Sequence, residues 1–191
     1  MLTPKDIWPN KVYEAARQEM RSRVIALKAI RRIALAPDVT LVFENRETLR
    51  FQVQEMLRAE RVETADGVQA ELDVYNALMP DRQSLSATLF IEVVEQERIA
   101  PVLHALVGIE ETLFLRYGAD EIPASFEGGR SDGARISAVQ YIRFVFDVPQ
   151  RERFLAATEA ALELRHPNAR GSVALGPQTL ASLQGDLTSA A

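Results

Sequence analysis

The stretch Asp38-Val-Thr-Leu-Val-Phe-Glu-Asn-Arg-Glu-Thr-Leu-Arg-Phe-Gln-Val-Gln-Glu-Met-Leu-Arg-Ala-Glu-Arg-Val-Glu63 changes its hydrophobic period from two to nearly four in mid-run, which marks a strand running into a helix. Val39, Leu41 and Phe43 alternate with Thr40, Val42 and Glu44, so one face of the strand meets a core. Asn45 reads as an N-cap whose side-chain oxygen accepts from a free amide of the first turn, and Glu47 adds negative charge at the positive end of the helix dipole. Leu49, Val53, Met56 and Leu57 then form one apolar stripe. Arg46, Arg50, Gln54, Arg58 and Arg61 recur at steps of three or four on another.

Toward the N-terminus, Pro9 interrupts a start at Thr3 and Pro4, so the first ten residues read as a turn and an arm. A helix follows from near Asn10, with Tyr13, Met20, Val24 and Ile30 on one face and Arg17, Arg21 and Lys28 on another, and Pro37 sets its outer limit. Toward the C-terminus the pattern predicts a helix from about residue 64 to 79, a strand over 87–94, a Pro101-kinked helix over 95–106 and a strand over 112–117. Residues 122–126 read as a short edge strand because Pro123 cannot donate to a ladder. After a flexible Glu127 to Ala134 connection come a strand over 136–148, a helix over 149–164, a strand over 171–175 and a helix over 177–187. The fold class is therefore α+β in one domain: residues 1–80 mainly helical with one strand, 85–176 an α+β sandwich, and 177–191 a C-terminal helix and tail. From Ala87 onward the order of elements is that of a ferredoxin-like βαββαβ unit with a mixed or mostly antiparallel sheet.

At 191 residues the chain is long enough to bury on the order of 70% of its unfolded surface. Hydrophobic residues at 47% and charged ones at 26% exclude a disordered or fibrous class. With no cysteine there is no disulfide, thiolate metal site or catalytic thiol. Charges and prolines at the N-terminus argue against a signal peptide, and no run is long enough to cross a membrane, so a cytoplasmic location is the default. The net charge of −5 is uneven: through Thr64 there are 12 Lys and Arg against 9 Asp and Glu, and beyond it 10 against 18. That layout suits an anionic ligand or partner on the N-terminal part, while the plainer reading, which carries more weight, is that long helices bear solvated charges of both signs.

The runs Arg31-Arg-Ile-Ala-Leu-Ala-Pro37, Val39-Thr-Leu-Val-Phe-Glu44, Gln52-Val-Gln-Glu-Met-Leu-Arg58, Glu71-Leu-Asp-Val-Tyr-Asn76 and Ala87-Thr-Leu-Phe-Ile-Glu92 resemble an uncharacterised bacterial family, domain of unknown function number 3501. Ser137-Ala-Val-Gln-Tyr-Ile-Arg-Phe144 and His166-Pro167 continue the likeness over nearly the whole chain. The resemblance implies no assigned activity. It implies a context of rubrerythrin-like proteins and iron–sulfur oxidoreductases as partners, hence oxidative-stress or redox metabolism, with any iron belonging to the partner.

The arginine stripe carries the one binding hypothesis drawn from the residues themselves. Arg46, Arg50, Gln54 and Arg58 have the chemistry to clamp a carboxylate or phosphate, with Gln52, Glu55, Tyr75 and His104 as further candidates; the alternative is a solvated helix face with i,i+3 pairs such as Glu55 with Arg58. Burial of Gln52, Gln54 and Glu55 would demand a ligand, a partner or a fixed polar network. Glu163 and His166 have Glu-x-x-His spacing, but a lone pair falls short of a di-iron set, so no metal and no cofactor is assigned. Gly128-Gly129-Arg130-Ser131-Asp132-Gly133 matches no phosphate-loop spacing and reads as a hairpin loop. Tyr141 alternates out of phase with Phe144 and Phe146, which argues against a base-stacking sheet and against nucleic acid. No catalytic residue is legible, and whether the protein is an enzyme stays open. Two functions remain: an accessory protein that binds a partner or its own copy through the N-terminal helices, and an enzyme or sensor for a small anion on the arginine stripe.

Overall fold

The alternation in residues 39–44 does make a strand, and in the computed structural model, which describes residues 1–129 and 135–188, it is one of eight. These are β1 (Arg32–Ala36), β2 (Val39–Glu44), β3 (Ser84–Ile91), β4 (Leu113–Tyr117), β5 (Asp120–Phe126), β6 (Val139–Val145), β7 (Ala161–His166) and β8 (Ala169–Ala174). They form one sheet in the order β1-β2-β3-β6-β5-β4-β7-β8, every pair antiparallel. The sheet curls until β8 meets β1. Gly171 marks the meeting, since a Cβ there would lie 1.8 Å from the Leu35 carbonyl oxygen, so the two backbones approach only because the side chain is absent. The result is a nearly closed barrel.

The α+β class holds, but the ferredoxin-like order does not. Two strands that the sequence hides inside helices account for the difference. Ile33 continues the three-and-four spacing of the first helix, yet Ile33 and Leu35 alternate inward on β1, which pairs with β2 through the turn at Pro37 and Asp38. In the run from Ala160 to Arg165, alanine, leucine, glutamate and arginine are all good helix formers. There Leu162, Leu164 and His166 nevertheless face inward while Glu163 and Arg165 face out, and β7 is held by ladders to β4 and β8. Pairing on both sides outweighs local propensity. The edge-strand expectation for residues 122–126 is corrected as well, because β5 lies between β4 and β6. Pro123 is tolerated since the ladder to β6 begins only at Ala124, so its missing N–H removes no bond on that side.

The helices are α1 (Asn10–Arg31), α2 (Arg46–Ala59), α3 (Ala65–Asn76), α4 (Gln96–Ala105), α5 (Val148–Ala156) and α6 (Pro177–Thr188). Leu41, Phe43, Leu89, Leu115, Phe144, Leu162 and their neighbours fill the barrel with apolar side chains. Leu180, Leu183 and Leu187 of α6 join that core at the end where β1 starts and β2 stops, and Leu106 and Ile109 join it after α4. At the α6 end Arg31 is 0% exposed. It donates to the Phe43 carbonyl at 2.9 Å, the Glu44 carbonyl at 3.1 Å and Ser182 Oγ at 2.7 Å, and it pairs with Asp186. Burial holds the Asp186 carboxyl above its ordinary value, with Arg31 pulling the other way.

A second core lies outside the barrel. Leu49, Val53 and Leu57 of α2 meet Leu72 of α3, Leu2 of the N-terminal arm, and Leu78 and Met79. The helical layer of α1, α2 and α3 thus seals the outer face of β2, β3 and β6. Among the described residues no helix is long and apolar enough to cross a membrane.

Candidate functional site

α2 presents its arginine and glutamine stripe because Asn45 fixes where the helix starts. Its side-chain oxygen accepts from the amides of Glu47 at 3.1 Å and Thr48 at 3.0 Å, while the Thr48 hydroxyl accepts from the Asn45 amide. The apolar stripe is thereby committed to the second core, and the polar stripe faces the N-terminal arm. That arm begins with a 3-10 turn at Pro4–Asp6, in which the Thr3 amide donates to Asp6 Oδ2 at 2.8 Å.

The arm lies across α2 and α3 and is held chiefly through its main chain. Gln54, only 1% exposed, accepts from the Trp8 amide at 2.9 Å and donates to the Trp8 carbonyl at 2.9 Å. Asn76 does the same for Leu2, accepting from its amide at 2.7 Å and donating to its carbonyl at 2.9 Å. Arg50 donates to the Asp6 carbonyl at 2.7 Å and places its guanidinium 4.9 Å from the Trp8 ring centroid. Arg46 pairs with the Asp6 carboxylate at 2.7 Å. Arg46, ahead of the Thr3 amide, holds the Asp6 carboxyl down at about 2.

Farther along the stripe, Glu55 is the acceptor. Arg17 reaches it with two hydrogen bonds of 2.8 and 2.7 Å, and the Tyr13 hydroxyl donates at 2.6 Å. Arg58 stands 3.4 Å from Glu55 and 3.1 Å from Glu14. The Arg17 fork is the main reason that the Glu55 carboxyl is held at about 2, and burial raises the Tyr13 phenol above its ordinary range. Of the candidate residues, Arg46, Arg50, Gln54, Glu55 and Arg58 therefore share one surface, and their partners come from residues 6–17 or from the stripe itself.

Gln52 and Tyr75 belong to a different group, beneath the helices. Glu44, 1% exposed, accepts from Thr88 Oγ1 at 3.0 Å and Gln52 Nε2 at 3.1 Å, with Lys28 Nζ at 3.6 Å. Burial, then the neighbouring Tyr141, Glu71 and Glu44, raise the Tyr75 phenol. Beside this group Arg143 closes the end of α3, donating to Ser84 Oγ at 3.1 Å and to the carbonyls of Ala77 and Met79 at 2.5 and 2.9 Å. Arg143 carried no signal in the sequence beyond its place in a strand.

His104 lies elsewhere. It is exposed on α4, whose Arg98 pairs with Asp38 at the start of β2, while α2 begins beyond the other end of that strand. Glu163 and His166 are likewise parted. Glu163 faces out to Arg116 and Arg165, whereas buried His166 donates from Nε2 to the Val107 carbonyl at 3.0 Å, because its Nδ1 accepts from the Asn168 amide at 3.2 Å. That tautomer makes His166 a structural tie. Among the described residues no group of three or more His, Asp or Glu is placed to hold a metal ion. Residues 130–134, the core of the glycine-rich loop reading, lie outside the described residues.

The arm does not fill its groove. Between Pro4, Ile7, Trp8 and Pro9 on one side and Leu57, Val62 and Val68 on the other runs a largely apolar cleft of about 450 Å³. Such a volume lies in the range of small ligand-binding sites.

Comparison with known proteins gives no curated match. A crystal structure described as a novel protein of unknown function from Burkholderia pseudomallei, at 1.90 Å resolution, is similar with 33% sequence identity and a TM-score of 0.90 over 97% of this chain and 98% of that one. A family model described as "Protein of unknown function (DUF3501)" matches residues 1–187, and the chain belongs to that family.

Proposed function

We propose that the protein is an accessory binding protein that presents its N-terminal helical layer to a protein partner. The observation that carries this reading is the double grip on a peptide main chain: Gln54 and Asn76 each satisfy both the amide and the carbonyl of one arm residue. Side-chain amides spaced this way suit an extended polypeptide, as in other modes of peptide recognition that rely on main-chain hydrogen bonds. The barrel interior supports the same reading, since apolar side chains fill it. The competing reading, an enzyme or sensor for a small anion, needs free guanidinium groups on the stripe, and Arg46, Arg50 and Arg58 are engaged by Asp6, Trp8, Glu14 and Glu55.

The partners to test first are the rubrerythrin-like and iron–sulfur redox proteins that the resemblance implies. Titration calorimetry with such a protein should give saturable heat that falls when Arg50→Glu and Arg58→Glu are combined, with the far-ultraviolet circular dichroism of the variant unchanged. Heat that is unaltered by the double charge reversal in a folded variant would remove the helical layer from the account.

A further inference from the structure

We propose that the pocket between the end of α3 and the outer face of β3, β6 and β5 binds a small tetrahedral oxyanion of the phosphate class, with Arg143 as its counter-charge and Ser86 and Ser125 as flanking hydroxyls. The pocket encloses about 180 Å³, and these three residues line it together with Tyr141 and Glu127. They meet because of register. Arg143 of β6 stands opposite Ser86 of β3 on one side and Ser125 of β5 on the other, so the three side chains form one row across neighbouring strands. Leu85, Ala87, Ala124, Ile142 and Phe144 alternate with them into the barrel core, which turns the row outward. No residue of the arginine stripe lines this pocket.

Two features point to an anion here. Arg143 is half-buried, and its hydrogen bonds all go to neutral acceptors, namely Ser84 Oγ and the carbonyls of Ala77 and Met79. Among the described residues it forms no ion pair: Asp81 is reached only through Ser84 Oγ, and Glu127 at the pocket edge is exposed to solvent. A guanidinium partly withdrawn from water thus keeps its full charge. Ser86 is only 3% exposed, yet its hydroxyl makes no hydrogen bond among the described residues, which is costly for a polar group unless an occupant of the pocket pairs with it. Size narrows the ligand. At about 180 Å³ the pocket falls below the roughly 300 Å³ at which small-molecule sites begin, so it takes a group of a few atoms rather than a nucleotide or a peptide. Strands about 4.8 Å apart set the two serines about 10 Å apart at the backbone. A tetrahedral ion with a hydrogen bond of about 2.7 Å on either side spans most of that width, and it keeps an oxygen for the guanidinium between them.

The test follows the amides of Ser86 and Ser125 and the Arg143 Nε–H by NMR while sodium phosphate is added to the full-length protein at constant, low ionic strength. The expected result is a saturable shift of all three signals with a midpoint on the order of 1 mM, and acetate should bind at least about tenfold more weakly. Ser86→Ala removes a hydroxyl that makes no bond in the fold, so it should leave the urea midpoint unchanged or raised while weakening phosphate about fivefold. Glu127→Gln removes a nearby negative charge and should tighten phosphate about twofold. Methyl phosphate separates the two sources of the group: binding as tight as the free ion assigns the pocket to the terminal phosphate of a larger molecule, and weaker binding assigns it to inorganic phosphate. No saturable shift up to about 50 mM, equal midpoints for phosphate and acetate, or an unchanged phosphate midpoint in Ser86→Ala would each overturn the proposal. The partner titration uses other residues, so its outcome is independent of this one.

Discussion

Glu55 and Asp6 show how single side chains tie the helical layer together, and how acid should undo it. Both carboxyls are held at about 2 in the folded protein, against ordinary values of 4.5 and 3.8, by Arg17 and Arg46 respectively. A group whose folded value is depressed stabilises the fold in full above its unfolded value and loses that contribution as pH falls toward the folded one. The arm and the α1–α2 contact should therefore loosen between about pH 4.5 and pH 2, and Trp8 emission should shift red in that window before the barrel unfolds. Emission that stays constant until global unfolding would contradict this coupling. Gln54→Ala should act without any change of pH: it leaves the amide and carbonyl of Trp8 unpaired, at a cost of about 1–3 kcal/mol in chemical denaturation. Gln54 is legible in the sequence as a residue of the stripe, not as a clamp on the arm. Nothing in the spacing of either predicts that a side-chain amide on one will match a backbone unit on the other.

At the scale of elements, the barrel depends on two closures. Gly171 allows β8 to touch β1, and Gly171→Ala drives a Cβ into the Leu35 carbonyl, which should destabilise the protein by about 3 kcal/mol or more in urea unfolding. α6 is the second closure, fastened by Arg31 to Asp186. Asp186→Ala leaves a buried guanidinium without its counter-charge and should cost about 3–5 kcal/mol by the same measurement; a loss below about 1 kcal/mol would show that α6 is held by its leucines alone. The raised Asp186 value has the opposite sign to those of Glu55 and Asp6, so acid does not weaken this closure in the same window. Most helices and the strands β2, β3, β4, β6 and β8 were legible from periodicity and capping. β1 and β7 were not, because five or six residues of alanine, leucine, isoleucine and arginine fit both periods, and only their neighbours in the sheet decide between them.

Across the whole molecule, the uneven charge of the chain finds its place in the helical layer. The basic excess of the first 64 residues is concentrated on α1 and α2, and there much of it pairs with acids of the same region: Arg17 with Glu55, Arg23 with Glu47, Arg46 with Asp6 and Arg58 with Glu14. The charge asymmetry was visible in the sequence; its internal neutralisation was not, since it depends on α1 and the arm folding back over α2. The barrel gives this layer its floor, and the proposed partner surface lies on the layer's outer side. The most direct test is amide hydrogen exchange at Trp8, followed by NMR in the full-length protein and in Gln54→Ala. The account predicts exchange slowed about 100-fold or more relative to an unstructured peptide, with that protection lost in the variant. A Trp8 amide that exchanges at the free-peptide rate in the unaltered protein would mean that α2 does not hold the arm, and the proposed function would lose the main-chain grip that carries it.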